Sequence, residues 1–171
     1  MSKSVMGRRA FLATTSAAGA MVMVGGSHLV IGGNGAWAMS TKALTGEEAA
    51  MLVRMARATY PHDMLDDSIY GKVVHGLDEK ASADAALLKN LQEGAATLKE
   101  KKFDTLDEAG QTAVLKEIET SAPFQTVRGE CITGIYNNPD VWKVLGYEGP
   151  SAELGGYINR GFSDIDWLQD A

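Results

Sequence analysis

The sequence predicts an all-α protein: a small orthogonal helical bundle followed by an irregular C-terminal arm that is rich in glycine and aromatic residues. Two observations support this prediction. Apolar residues recur at helical spacing from Thr45 to Leu145, and the alternation typical of strands is nearly absent. Beyond Leu145, five glycines and Pro150 interrupt the chain, and the helical spacing is lost.

Two helices are predicted on either side of Pro61. The sequence Thr45-Gly46-Glu47-Glu48 matches a capping box that opens the first helix. Pro61 ends it, because the residue before a proline is pushed out of the helical region. The second helix is expected from about Asp66 to Glu79. The inner faces of the two helices are predicted to carry Leu52, Met55, Ala56, Thr59, Ile69, Val73 and Leu77.

Two further helices are predicted between residues 82 and 118. Ser82 or Asp84 can cap the third helix, and its lysine-rich end suits the negative end of the helix dipole. The sequence Thr105-Leu106-Asp107-Glu108 matches a second capping box and is predicted to open the fourth helix. Their inner faces are predicted to carry Leu87, Leu88, Leu91, Ala95, Leu98, Val114, Leu115 and Ile118.

The last two predicted helices flank the sequence Asn137-Asn138-Pro139. The fifth spans Phe124 to Tyr136 and turns Cys131 or Ile132 towards the core. Pro139 suits the first turn of a short sixth helix that runs to Leu145. Cys131 is the only cysteine and cannot form an internal disulfide, so a role as a small buried hydrophobic residue is favoured.

The first 38 residues have the pattern of a twin-arginine export signal, which carries proteins across a membrane already folded. A stretch of 32 residues without formal charge, 10–41, follows two adjacent arginines, and Ala36-Trp37-Ala38 is typical of a cleavage site. The signal elements are Arg8, Arg9, Phe11 and Leu12, with cleavage expected after Ala38. The chain is thus divided into a signal (1–38), a helical bundle (39–145) and a C-terminal arm (146–171). A retained membrane anchor is the alternative, although glycines dilute this stretch.

The mature chain of 133 residues is acidic. It contains all 22 acidic residues but 13 of the 16 basic ones, which gives a net charge of −9. Nucleic acid is therefore excluded as a partner class, because no basic stripe can neutralise phosphates.

His62 and Asp63 are the candidate metal ligands or acid–base pair, with Asp66 close by in the sequence. The favoured interpretation is structural, since the two residues are sequence neighbours just past a helix end. An aspartate before the next helix is also more simply a cap.

The C-terminal arm carries the candidate partner contacts. Seven of the ten aromatic residues of the mature chain fall between Phe124 and Trp167. Tyrosine, tryptophan and arginine are frequent anchors of protein interfaces. The interface candidates are Tyr147, Tyr157, Arg160, Phe162 and Trp167. The arm can lie over another subunit or fold back on its own bundle, and both interpretations stay open.

Several strings of residues resemble the small subunit of gluconate 2-dehydrogenase-like complexes, the subunit 3 family. The resemblance covers most of the mature chain and is strongest from Pro123 to Trp167. The strings are Tyr60-Pro61-His62-Asp63, Thr126-Val127-Arg128-Gly129, Tyr136-Asn137-Asn138-Pro139 with Trp142, and Gly146-Tyr147-Glu148-Gly149-Pro150-Ser151 before Gly155-Gly156-Tyr157.

The resemblance implies a non-catalytic accessory subunit with no cofactor of its own. In such complexes, a large flavoprotein of the glucose–methanol–choline oxidoreductase family binds FAD and oxidises a sugar, a sugar acid or an alcohol. The small subunit supplies the signal that takes the folded pair through the twin-arginine translocase to the periplasm. A cytochrome c subunit often accepts the electrons, and the complex can associate with the membrane. The alternative is a stand-alone periplasmic metal-binding protein or enzyme that uses His62 and Asp63.

Overall fold

The computed structural model describes residues 21–24, 27–31 and 38–158. Six α-helices form a bundle in this part of the chain, which confirms the all-α fold class. Their bounds are α1, Gly46–Thr59; α2, Asp67–Ala81; α3, Ala85–Glu100; α4, Glu108–Ile118; α5, Ala122–Tyr136; and α6, Pro139–Leu145. None of the described helices is both long enough and apolar enough to cross a membrane.

A small antiparallel sheet precedes the bundle and was not predicted from the sequence. Its strands are β1, Met21–Val24; β2, Ser27–Ile31; and β3, Ala38–Thr41, in the order β1-β2-β3. Val30 of β2 is paired with Met21 on one side and with Met39 on the other. The strand β3 therefore spans the expected cleavage position after Ala38. The signal elements Arg8, Arg9, Phe11 and Leu12 lie outside the described residues.

The first three helix starts follow from side-chain caps. The capping box at α1 is confirmed, since Glu48 N donates to Thr45 Oγ1 at 3.3 Å and Thr45 N donates to Glu48 Oε2 at 2.8 Å. Asp66 caps α2, and of the two predicted candidates for α3 it is Asp84 that caps. The first helix ends at Thr59, as Pro61 predicts.

The predicted capping box at Thr105 is wrong. Asp107 caps α4, and its Oδ1 accepts a hydrogen bond from Gly110 N at 2.9 Å. Thr105 instead ends a short 3-10 helix, Phe103–Thr105, and its hydroxyl donates to the Lys102 carbonyl at 2.8 Å. Phe103 is completely buried and fixes this turn to the core. Because aspartate caps as well as threonine, the helix begins two residues later than predicted.

The core is built around α1, which contacts α2, α3, α4 and α5. The largest fully buried side chains come from all parts of the bundle and include Tyr70, Phe103, Leu44, Leu52, Met55, Leu91, Leu98, Ile135, Val74, Val127 and Val141. In α5, Cys131 faces the core and Ile132 faces outwards with 43% exposure, which decides between the two predicted positions.

A buried carboxylate fixes the segment between β3 and α1. Asp78 of α2 is completely buried and accepts three backbone hydrogen bonds. Its Oδ2 accepts from Lys42 N at 2.6 Å, and its Oδ1 accepts from Ala43 N at 3.0 Å and from Leu44 N at 2.8 Å. These bonds tie the start of the bundle to a helix more than thirty residues away in the sequence.

Two glycines allow α5 to pack closely against its neighbours. A Cβ atom at Gly94 of α3 would lie 2.7 Å from the Cβ of Pro123, and one at Gly134 would lie 2.8 Å from Cγ2 of Val73 in α2. Real Cβ atoms do not approach so closely. Glycine is required at both positions for this reason, and α5 is held against both helices.

The described part of the arm, residues 146–158, is irregular, as predicted. Pro139 occupies the first turn of α6, and Gly146 ends the helix with a φ of 73°. Gly149 has a φ of 97°, and its backbone lies against the indole of Trp142. The arm thus begins by packing on α6 before the short 3-10 helix Ala152–Leu154.

Candidate protein interface

Two stretches that are distant in the sequence, 60–62 and 136–147, meet at one end of the bundle. We call this the aromatic end, and its residues are Tyr60, His62, Tyr136, Trp142 and Tyr147. The rings of Tyr60 and His62 pack edge-on against Tyr136, with centroid distances of 5.9 and 5.6 Å. The ring of Tyr147 packs edge-on against Trp142 at 5.4 Å. These residues belong to three of the strings that carry the family resemblance.

Hydrogen bonds fix the rings of the aromatic end in place. His62 Nε2 lies 2.7 Å from the Tyr136 hydroxyl, and Trp142 Nε1 donates to the Tyr136 carbonyl at 2.6 Å. The buried Tyr70 supports the loop from below, since its hydroxyl donates to the Tyr60 carbonyl at 2.6 Å. Such a network holds side chains in one arrangement before any partner arrives.

Arg57 anchors the loop that carries His62. Its Nη1 donates to the Leu65 carbonyl at 2.7 Å, and its guanidinium lies 5.2 Å from the centroid of the Tyr70 ring. Asp63 and Asp67 lie 3.9 and 3.6 Å away as ion-pair partners. The arginine therefore lies within ion-pair distance of two carboxylates while it binds the backbone of the loop.

Three large apolar side chains close in the sequence to these residues are also exposed. Val144 and Leu145 of α6 are 50% and 44% exposed, and Met64, two residues after His62, is 61% exposed. Burial, together with Tyr60, Tyr70 and Cys131 nearby, raises the pKa of Tyr136, so its phenol stays protonated and available for hydrogen bonding at neutral pH. An ordered aromatic centre with apolar neighbours is the chemistry of a protein-binding surface.

The two predicted metal ligands face different partners. His62 bonds Tyr136, whereas the carboxylate of Asp63 is fully exposed and turned towards Arg57. In residues 38–158 and the two described strand segments before them, no three His, Cys, Asp or Glu side chains are grouped as metal ligands. Asp66 is the cap of α2, as its favoured interpretation predicts, and hydrogen bonds from Ser68 lower its pKa.

Two of the five predicted interface residues can be placed. Tyr147 and Tyr157 are 46% and 49% exposed, and Tyr147 belongs to the aromatic end. Arg160, Phe162 and Trp167 lie outside the described residues. The described start of the arm folds back on its own bundle, because Tyr147 packs against Trp142. Tyr147 still presents nearly half of its surface to solvent, and its contact with another subunit stays a prediction.

Cys131 lies below the aromatic end, at the centre of α5. It is completely buried, and desolvation raises its pKa to about 12. The thiolate is the reactive form of cysteine, so burial keeps this side chain inert. The structure thus agrees with its interpretation as a small hydrophobic residue.

A groove of about 520 Å³ runs between α1 and α3 on another side of the bundle. Its charged side chains pair with each other across the groove: Lys99 with Glu47 at 2.8 Å, and Arg54 with Asp104 at 3.6 Å. These four charged side chains are paired with each other, so none of them is left to attract a charged ligand.

Sequence reasoning missed Tyr136 as the centre of the site. His62 and Tyr136 are 74 residues apart, and neither residue alone indicates the other. One signal was available: Tyr60 and Tyr136 each stand at a helix end beside a proline-containing turn, where side chains are free to meet.

Comparison with protein-family models, curated proteins and solved structures finds no match to this chain. The resemblance to the subunit 3 family therefore rests on the strings of residues themselves.

Proposed function

We propose that this chain is a non-catalytic accessory subunit of a periplasmic, FAD-dependent dehydrogenase that oxidises a sugar, a sugar acid or an alcohol. It supplies the twin-arginine signal for export of the folded complex, and it stabilises the flavoprotein subunit. FAD is bound by that partner, a member of the glucose–methanol–choline oxidoreductase family, and a cytochrome c subunit can accept the electrons.

The arrangement of side chains at the aromatic end is the observation that supports this proposal. Three of the segments that resemble the family meet there, and they include the partly exposed residues His62, Tyr136 and Tyr147. His62 Nε2 lies 2.7 Å from the Tyr136 hydroxyl, and the Tyr136 carbonyl accepts a hydrogen bond from Trp142. This arrangement fits contact with a second protein.

The proposed export role and the proposed binding role belong to different parts of the chain. The N-terminal pattern directs a folded protein to the twin-arginine translocase, and the bundle presents a surface suited to holding a partner. A flavoprotein that lacks its own leader then reaches the periplasm with its cofactor already bound, because the translocase accepts it folded.

The export role is tested with the double variant Arg8→Lys, Arg9→Lys in the natural host. We expect the flavin-linked dehydrogenase activity to move from the periplasmic to the cytoplasmic fraction together with this chain. The matched control is Arg54→Lys, which makes the same exchange in the bundle and should leave the distribution unchanged. Full periplasmic activity in the double variant would show that the partner does not depend on this signal.

A further inference from the structure

Four exposed residues of α5 form a continuous strip on the helix surface, which we call the α5 stripe. They are Arg128, Gly129, Ile132 and Tyr136. Gly129, Ile132 and Tyr136 are spaced i, i+3 and i+7, so they lie on one side of the helix. Ile132 is 43% exposed and Tyr136 is 39% exposed. The stripe is continuous with the aromatic end, because Tyr136 belongs to both.

None of the described residues explains why position 129 is a glycine. A Cβ atom built there meets nothing within 4 Å, whereas Gly94 and Gly134 are needed for close helix contacts. A glycine inside an exposed helix is unfavourable for folding compared with alanine. Glycine is, however, the residue that lets another backbone come close to a helix. Gly129 is therefore suited to a close contact that the described residues do not make.

Arg128 lies beside this glycine and has no charged partner in residues 38–158. The other two arginines of this part of the chain, Arg54 and Arg57, pair with carboxylates. Arg128 is exposed at the edge of the stripe. An arginine beside an apolar contact surface is a frequent interface anchor, since its planar group binds carboxylates with two parallel hydrogen bonds.

We infer that the α5 stripe is the docking surface for the flavin-binding subunit, whose matching surface is apolar, approaches closely at Gly129 and places a carboxylate opposite Arg128. This inference rests on the function proposed above. Charge favours such a partner over a second copy of this chain. The mature chain has a net charge of −9, so two copies would repel each other.

The test measures FAD bound to the complete, affinity-tagged chain after purification from its natural host. Gly129→Leu fills the open space, and Arg128→Glu reverses the free charge. We expect each variant to lower the FAD recovered per mole of chain by about tenfold or more, the effect of losing one interface anchor. Lys116 provides both controls. It is exposed on α4 and has no ion-pair partner in the described residues, so Lys116→Leu and Lys116→Glu should retain FAD.

Thermal unfolding of the purified chains separates docking from folding. Gly129→Leu should unfold no earlier than the wild type, because leucine is a better helix former and the space is open. Unchanged FAD recovery in both stripe variants would show that the α5 stripe is not the docking surface, and it would not affect the proposed function. A wild-type chain that recovers no FAD contradicts the proposed function itself. A wild-type dimer that both stripe variants abolish identifies a second copy as the occupant and overturns the inference.

Discussion

Replacement of Asp78 by alanine is expected to remove a buried polar attachment between α2 and the segment before α1. The carboxylate accepts hydrogen bonds from Lys42 N, Ala43 N and Leu44 N at 2.6 to 3.0 Å, and it is completely buried. In the variant, all three donors lose their acceptor at once. The segment that leads from β3 into α1 then has no polar contact with the Asp78 position.

The cost can be worked out donor by donor. Leu44 is buried, so its N–H is left without a partner, at about 1–3 kcal/mol. Lys42 and Ala43 are more open, and water can replace the carboxylate there, so each loses a net hydrogen bond of about 0.5–1.5 kcal/mol. The sum is about 2–6 kcal/mol, a large share of the roughly 5–15 kcal/mol that stabilises a typical domain.

Urea unfolding followed by circular dichroism measures this loss. Asp78→Asn keeps one oxygen acceptor for Ala43 and Leu44 and loses the bond from Lys42, so it should cost about 1–2 kcal/mol. The matched control is Asp84→Ala, which removes an exposed helix cap and should cost about 1 kcal/mol. If Asp78→Ala costs no more than Asp84→Ala, the three bonds do not hold the segment as we describe.

Three further predictions concern single side chains of α3 and α5. Gly94→Ala should destabilise the chain, because its Cβ would lie 2.7 Å from Pro123, whereas Gly129→Ala should stabilise it by up to about 1 kcal/mol; urea unfolding of the two variants gives the opposite signs. Cys131, with its pKa raised to about 12, should resist iodoacetamide at neutral pH until the chain unfolds, and mass spectrometry detects the adduct; labelling of the folded chain would contradict its burial. The pKa of Tyr136 lies above its ordinary value of 10.0, so the folded state holds this proton more tightly. Stability should be intact below pH 10.0 and should fall as the pH rises beyond it, more steeply in the wild type than in Tyr136→Phe.

The helices could be predicted because their signals are local. Caps such as Thr45 and Asp84 satisfy backbone groups within three residues, and Pro61 acts on its immediate neighbour, so the sequence itself contains the information. The wrong cap at Thr105 shows the limit of such local signals. Threonine and aspartate are both good caps, and only the burial of Phe103, a tertiary contact, decides between them.

The sheet and the site depend on contacts between distant residues. In β1 and β2, apolar residues follow one another without alternation, so the same stretch fits an export signal as well as strands. The described part of the arm, residues 146–158, is irregular as predicted, but the centre of the site is Tyr136 of α5. Packing of the loop at His62 against the end of α5 brings Tyr136 there, and no pattern along the chain records that contact.

Purification of the complete tagged chain from the periplasm, with its FAD measured before and after dissociation in denaturant, tests the central claim most directly. We expect a stoichiometric amount of FAD that separates with a second, larger polypeptide and leaves this chain free of flavin. FAD that stays with this chain when it is the only polypeptide present would contradict an accessory role.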